Sequence, residues 1–284
     1  MLWRAVALLG VMLPLSACQT LSKYYLASDA PEPVKAGSVD PRLDLTRKLG
    51  AQLSPVIRKM AAPYGRLHHA TGFEQELRSI LRPLDILIVR SRPALTRLAF
   101  PSHFTHAEVW LGTPEQMRAL GAFLIPSVAK HRGEIMAGKS VLEAANDDVH
   151  LSGFDQISNT DEVVVLRPVG LTQVDARYKF SALFKQLGEP FDYNFDYSDT
   201  SRLTCMEVVK AAYPELGIPV RYTAGRYAVI PDDIVRRGLT PGSGLRFVAY
   251  FSGKGFDGYQ VRGADAVAAM ISQPAPKPKY RISY

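Results

Sequence analysis

Only two cysteines occur in 284 residues, and their positions set the first limit on what this chain can fold into. Cys18 closes an apolar leader, while Cys205 opens a stretch of helical spacing far along the chain. With the first sulfur committed to the leader, no intrachain disulfide is available. The fold must therefore stand on the burial of apolar side chains. The chain beyond the leader, roughly 266 residues, is long enough for a well-buried core in one large domain or one domain with extensions.

The leader has its own pattern. Arg4 is the sole charge before residue 20, Ala5 to Leu15 is almost wholly apolar, and Leu15-Ser16-Ala17-Cys18 ends the run with small residues around a cysteine. An apolar run of about 11 residues is too short for the roughly 20 that cross a bilayer as a helix. This is the layout of a bacterial lipoprotein signal peptide at 1–17, which predicts a lipid on Cys18 and attachment to a membrane. An ordinary secretory leader cut near Ala17 is the alternative, and it would leave Cys18 a free thiol. Gln19 in place of Asp favours, by analogy with enterobacterial sorting, the outer membrane and a periplasmic location. The formal charge of +7 is scattered along the chain rather than gathered into a run. In an exported protein this suits anionic headgroups or an acidic wall, and the location argues against nucleic acid. The sequence has no Gly-rich phosphate loop, no pair of CxxC motifs and no HExxH. No metal or organic cofactor is expected, because no ligand cluster has workable spacing. Nothing in the pattern sets the oligomeric state.

Composition divides the rest of the chain. Residues 18–40 carry the Ser28-Asp29-Ala30-Pro31-Glu32-Pro33 stretch and suit a tether. In 41–82, Leu45, Leu49, Leu53, Val56, Ile57 and Met60 recur at helical spacing, broken near Pro63-Tyr64-Gly65, which predicts an N-terminal helical extension. From 83 to 252 the character is mixed and points to an α+β domain. Short β-type runs fall at Asp85 to Val89, Phe104 to Leu111, Ser140 to Ala144 and Val163 to Arg167. Helical stretches follow at Gln173 to Leu187 and Cys205 to Leu216, with a further strand at Arg246 to Phe251. Residues 253–284 are expected to form a C-terminal tail, rich in Pro and Lys beyond Gln273.

Cys205 lies in Thr204-Cys205-Met206-Glu207, an S/T-x-x-E capping box with Thr204 as N-cap and Glu207 reaching back. Cys205 is thus predicted at the first helical position, where unpaired amide N–H groups and the positive helix end favour a thiolate. The competing reading is a small buried hydrophobe. Glu207 is assigned to capping. A thiolate needs a base, and His106 is the best placed of six histidines. Strand alternation puts Phe104, His106, Glu108 and Trp110 on one face, against Thr105, Ala107, Val109 and Leu111. His103 is a weaker candidate, and His68, His69, His131 and His150 read as solvated. To orient the imidazole, Glu143 is the attractive acid, since a lone buried carboxylate in an apolar strand is costly without a partner. Glu108, two residues from His106, competes for that role.

Five segments in order carry a resemblance: Arg82-Pro83-Leu84-Asp85-Ile86-Leu87-Ile88, Phe104-Thr105-His106-Ala107-Glu108-Val109-Trp110, Val141-Leu142-Glu143-Ala144, Pro190-Phe191-Asp192-Tyr193-Asn194-Phe195 and Thr204-Cys205-Met206-Glu207-Val208-Val209. They resemble the permuted papain-like amidases, the YaeF/YiiX-like branch of the NlpC-type cysteine peptidase superfamily, over roughly 82–235. The order His, acid, Cys marks the permutation. The resemblance implies a small antiparallel β-barrel packed on the helix that bears the nucleophile. It also implies catalysis by Cys205, His106 and Glu143, with the Cys205 backbone N–H meeting the oxyanion. Tyr193, and more loosely Glu108, would help shape the substrate or oxyanion pocket. Glu108 stands where such families usually carry an apolar residue. The stretch Thr113 to Ser140, with Arg118, Lys130, His131 and Arg132, is an insertion that suits a lid or a substrate wall.

These readings make the chain an anchored periplasmic cysteine hydrolase of amide bonds, with cell-wall peptide or another acyl-amide as substrate. The alternatives are a thiol-dependent lipid hydrolase or acyltransferase, and a non-catalytic wall-binding module. A narrow polar cleft would favour peptide, and a wide apolar tunnel near the insertion would favour acyl chains.

Overall fold

The computed structural model describes residues 65–91, 102–223 and 225–272. The leader, the tether, most of the expected helical extension and the end of the tail lie outside the described residues. The elements are helix α1 (Phe73–Ile80), strands β1 (Asp85–Arg90) and β2 (His106–Trp110), short helices α2 (Pro114–Ala119), α3 (Pro126–Ala129) and α4 (Arg132–Met136), strands β3 (Lys139–Ala145) and β4 (Asp148–Gly153), short helix α5 (Asp155–Ser158), strand β5 (Glu162–Pro168), helices α6 (Gln173–Phe184) and α7 (Cys205–Ala212), hairpin strands β6 (Arg221–Thr223) and β7 (Arg226–Ala228), helix α8 (Pro231–Leu239), strands β8 (Leu245–Lys254) and β9 (Gly258–Arg262), and helix α9 (Ala264–Ser272).

Seven strands form one antiparallel sheet in the order β4-β3-β2-β1-β5-β8-β9. This is an open sheet and not the closed barrel expected, because β4 and β9 end it without pairing to each other. Alternation along the strands feeds two separate cores, since successive side chains leave a strand on opposite faces. Ile86, Ile88, Ala107, Val109, Leu142, Ala144, Val164 and Leu166 share one core with Phe180, Cys205, Val208, Val209 and Ile234, so α6, α7 and α8 cover that face. Leu87, Val89, Trp110, Val141, Val163 and Val165 share the other with Phe73, Leu77, Phe154 and Ile157. Helix α8 packs closely on β5: a Cβ at Gly238 would stand 2.5 Å from Leu166 Cδ2.

Beneath β1 and β5, Arg167 clamps the fully buried Asp85 with two hydrogen bonds of 2.8 and 2.6 Å. Breaking such a pair on one side leaves an uncompensated buried charge and costs about 3–5 kcal/mol.

Two expectations need correction. The segment 253–272 is not a tail: β9 extends the sheet, and α9 buries Val267 and Ile271, spaced i, i+4 on one face. The insertion is not a lid either. Its short helices put Met117, Ala122, Val128 and Ile135 into the core beside α6. A capping box at Thr113 and Gln116 starts α2.

Candidate active site

Helix α7 begins at Cys205, and the reason is local. The Thr204 hydroxyl accepts the Glu207 N–H at 3.3 Å, and Glu207 Oε2 accepts the Thr204 N–H at 2.5 Å. The carboxyl of Glu207 is pushed up to about 7 by burial; the hydrogen bonds from Thr204 oppose the shift, and the charges of Asp192 and Asp196 add to it. By helix geometry the N–H groups of Cys205 and Met206 have no acceptor within the helix. Cys205 is 3% exposed, with Val208, Val209 and Ala212 packed on the same core.

His106 is the first residue of β2. The chain reaches it along a fixed path, because Asp232 at the start of α8 accepts the N–H groups of His103 and Phe104 at 2.9 and 3.1 Å. Alternation holds from His106 to Trp110, but Phe104 departs from it. That residue precedes the strand and packs with Ala107 and Val109 in the α7 core.

Both an acid and the thiol act on the imidazole. Its Nε2 lies 2.8 Å from Glu143 Oε2, and the charge of Cys205 acts on the ring. Burial works against the charged ring, yet the charge of Cys205, with the hydrogen bond and charge of Glu143, outweighs it. The imidazolium therefore persists well above the ordinary histidine range. Glu143 is itself 1% exposed. Burial alone would raise its carboxyl, but the hydrogen bond and charge of His106, the Ser152 hydroxyl at 2.6 Å and the charge of His150 hold it below the usual range.

Glu108 does not line the cavity beside Cys205. It lies buried behind His106, with Oε1 at 3.9 Å from Nε2, and it faces Glu143 across the β2–β3 pair. Burial, with the charge of Glu143, pushes its carboxyl up to about 8 despite His106. Tyr193 gives its hydroxyl to the Asn146 carbonyl and packs edge-on against Phe191, 5.0 Å between ring centroids. The cavity beside Cys205 holds about 10 Å³ and is lined by Phe195, Met206, Glu207, Ala228, Val229 and Pro231 rather than by Tyr193. That is about one water's worth of space. A larger cavity of about 600 Å³, among Leu67, Gly72, Arg78 and Asp155, contains none of these site residues.

Two of the histidines expected in solvent have acidic neighbours instead. His150 sits on β4 with Nε2 3.7 Å from Glu143 Oε1, behind the acid. Asn146 and Asp147 form the turn that brings β4 against β3. His131 is bonded to Glu134 at 3.0 Å.

The expectation that no ligand cluster exists also needs correction. His106, Glu108 and Glu143 each bring a donor atom within 4.8 Å of the others, Glu143 from a different strand. Zinc donors bound at about 2.0–2.1 Å in a tetrahedron stand roughly 3.3 Å apart. The 2.8 Å contact of His106 with Glu143 is a hydrogen-bond distance, and Glu108 at 3.9 Å stands outside it. The set fits a hydrogen-bonded pair beside a second acid better than a metal centre.

A solved structure, that of metalloprotein yiiX from Escherichia coli O157:H7, is similar at 20% identity. The alignment covers 59% of this chain and 96% of that chain, with a TM-score of 0.43. No curated protein matches. Residues 81–234 match the family of permuted papain-like amidase enzymes, YaeF/YiiX, C92 family, and the chain belongs to this family of cysteine amidases and peptidases.

Proposed function

We propose that the protein cleaves amide bonds through a Cys205–His106–Glu143 site, as a lipid-anchored enzyme of the bacterial envelope acting on cell-wall peptide. The observation that carries this reading is the single imidazole bonded to a buried carboxylate and acted on by the charge of Cys205 at the start of α7. The Cys205 sulfur adds to the acyl carbon, and the oxyanion meets the N–H groups at the start of α7. His106 then gives its proton to the departing amine as the C–N bond breaks, leaving a thioester. In the second half His106 takes a proton from water, whose oxygen attacks the thioester, and the sulfur departs to be reprotonated. Glu143 holds the ring by Nε2 so that Nδ1 serves the sulfur throughout.

Peptide is preferred to acyl lipid because the insertion packs into the core beside α6 and does not line the cavity at Cys205. That cavity is too small for a peptide, so substrate entry requires the Phe195 segment or the β6–β7 hairpin to yield. The leader supports an anchor on Cys18 and, through Gln19, an outer-membrane location facing the periplasm.

Two experiments test the reading. In the full-length chain carrying Cys18→Ser, Cys205 is the one thiol. Its alkylation by iodoacetamide should persist well below pH 8, and His106→Ala should remove that low-pH arm; an unchanged profile sinks the pair. For the anchor, the wild type should incorporate labelled palmitate and sediment with membranes, and Cys18→Ser should do neither.

A further inference from the structure

We propose that Glu108 is held as a neutral carboxylic acid opposite Glu143 across the β2–β3 pair, a positioning residue that keeps a single negative charge behind His106. This rests on the proposed function for what His106 does. The carboxyl pair itself is defined by geometry alone.

The two glutamates are direct cross-strand partners, each 1% exposed. Their surroundings differ. Glu143 has both oxygens engaged, Oε2 with His106 at 2.8 Å and Oε1 with the Ser152 hydroxyl at 2.6 Å. Glu108 has no comparable donor: Oε1 is 3.9 Å from His106 Nε2, and Oε2 is buried without a hydrogen-bond partner. The charged and titratable groups facing the pair are His106 from β2, His150 from β4 and, through the imidazole, Cys205 from α7. From β1 the residue opposite Glu108 is the apolar Leu87. No lysine or arginine pairs with either carboxylate among the described residues.

Two anions beside one imidazolium would leave a buried charge uncompensated, and a group in that position takes up a proton instead. The proton belongs on the acid that lacks donors, which is Glu108. Burial and the charge of Glu143 push it the same way. The consequence concerns proton donation by His106. A second anion behind the ring would hold the imidazolium proton more tightly and slow its transfer to the leaving amine. A neutral Glu108 leaves that task to Glu143 alone.

The test reads the proton directly. Infrared difference spectra of the wild-type protein at neutral pH should show the C=O band of a protonated carboxylic acid. Glutamate labelled with carbon-13 should shift the band, and Glu108→Gln should remove the part of it that Glu207 does not supply. Cys205→Ala should keep the band, so the result does not depend on whether Cys205 is the nucleophile. In nitrogen-15 spectra, His106 should titrate within a few tenths of a pH unit of the wild type in Glu108→Gln, because one neutral group replaces another, whereas loss of an ionised Glu108 would move the titration about one pH unit lower. Absence of the band from the wild type, an undiminished band in Glu108→Gln, or a His106 titration about one pH unit lower in that variant would each overturn the proposal. So would a stoichiometric divalent ion in the purified protein that Glu108→Gln releases. The wild-type band needs no variant to fold.

Discussion

Two histidine–glutamate pairs start within three residues of each other, and the contrast between them shows what makes one reactive. His103 Nε2 lies 2.6 Å from Glu162 Oε2, and His106 Nε2 lies 2.8 Å from Glu143 Oε2. Each carboxyl is held below its usual range against the burial that would raise it. Around Glu162 the remaining partners are Arg90 at 2.9 Å and the Tyr250 hydroxyl at 2.9 Å. That set is a permanent cation and a phenol, so every charge is matched at rest. Around Glu143 no lysine or arginine stands among the described residues, and the charge of Cys205 acts on the ring instead. An imidazole whose acid is already neutralised by arginine has nothing to do but hold the loop. One whose acid is matched only by its own protonation can carry a proton between sulfur and substrate.

The comparison breaks most sharply on activity. In the Cys18→Ser background, Cys205→Ser and His106→Ala should each cut peptide-amide hydrolysis by about 10³-fold or more, while His103→Ala should stay within about threefold. Equal losses at both histidines would erase the distinction. Next in size, Glu143→Gln should lower kcat by about 10²-fold and far more than Glu108→Gln, because only Glu143 bonds the ring. The reverse ranking in steady-state kinetics would hand the orienting role to Glu108.

Stability should sort the pairs the other way. Glu162→Gln leaves Arg90 partly buried and unmatched, at a cost of about 3 kcal/mol, or roughly a hundredfold in the unfolding constant measured in urea. The smallest effect is a pH slope. Glu108 binds its proton more tightly folded, near 8, than at the ordinary carboxyl value of 4.5. The folded state thus holds more protons across that window, and stability falls as pH rises through it. Glu108→Gln should flatten this part of the slope in melting curves taken from acid to mildly alkaline pH. A slope unchanged by the substitution would place the titration elsewhere.

The sequence disclosed the parts of the site that depend on near neighbours. Thr204 and Glu207 cap each other three residues apart, so the helix start at Cys205 is legible from its motif, and the structure builds the same box. The runs at β1 and β5 are dense in Val, Ile and Leu and read as strands without any partner, and β3 reads so from its apolar Val141, Leu142 and Ala144. Asp-Val-His-Leu-Ser-Gly at β4 does not, because only half of it is apolar and its strand character comes from pairing with β3. Helix α9 is not legible because Val267 and Ile271 make a stripe too short to stand out until α8 and β8 give it something to cover.

What the sequence determined by itself was which residue types could do chemistry, where the nucleophile's helix begins and in what order histidine, acid and cysteine fall. These come from local capping, strand alternation and motif order. Only the tertiary structure decided that the sheet stays open, that Glu162 beside His103 is matched by Arg90 while Glu143 beside His106 has no such partner among the described residues, and that Glu108 stands opposite Glu143. Register and desolvation fix those outcomes. Both arise from chains meeting across a sheet, where one residue of slip would send each carboxyl to the other face.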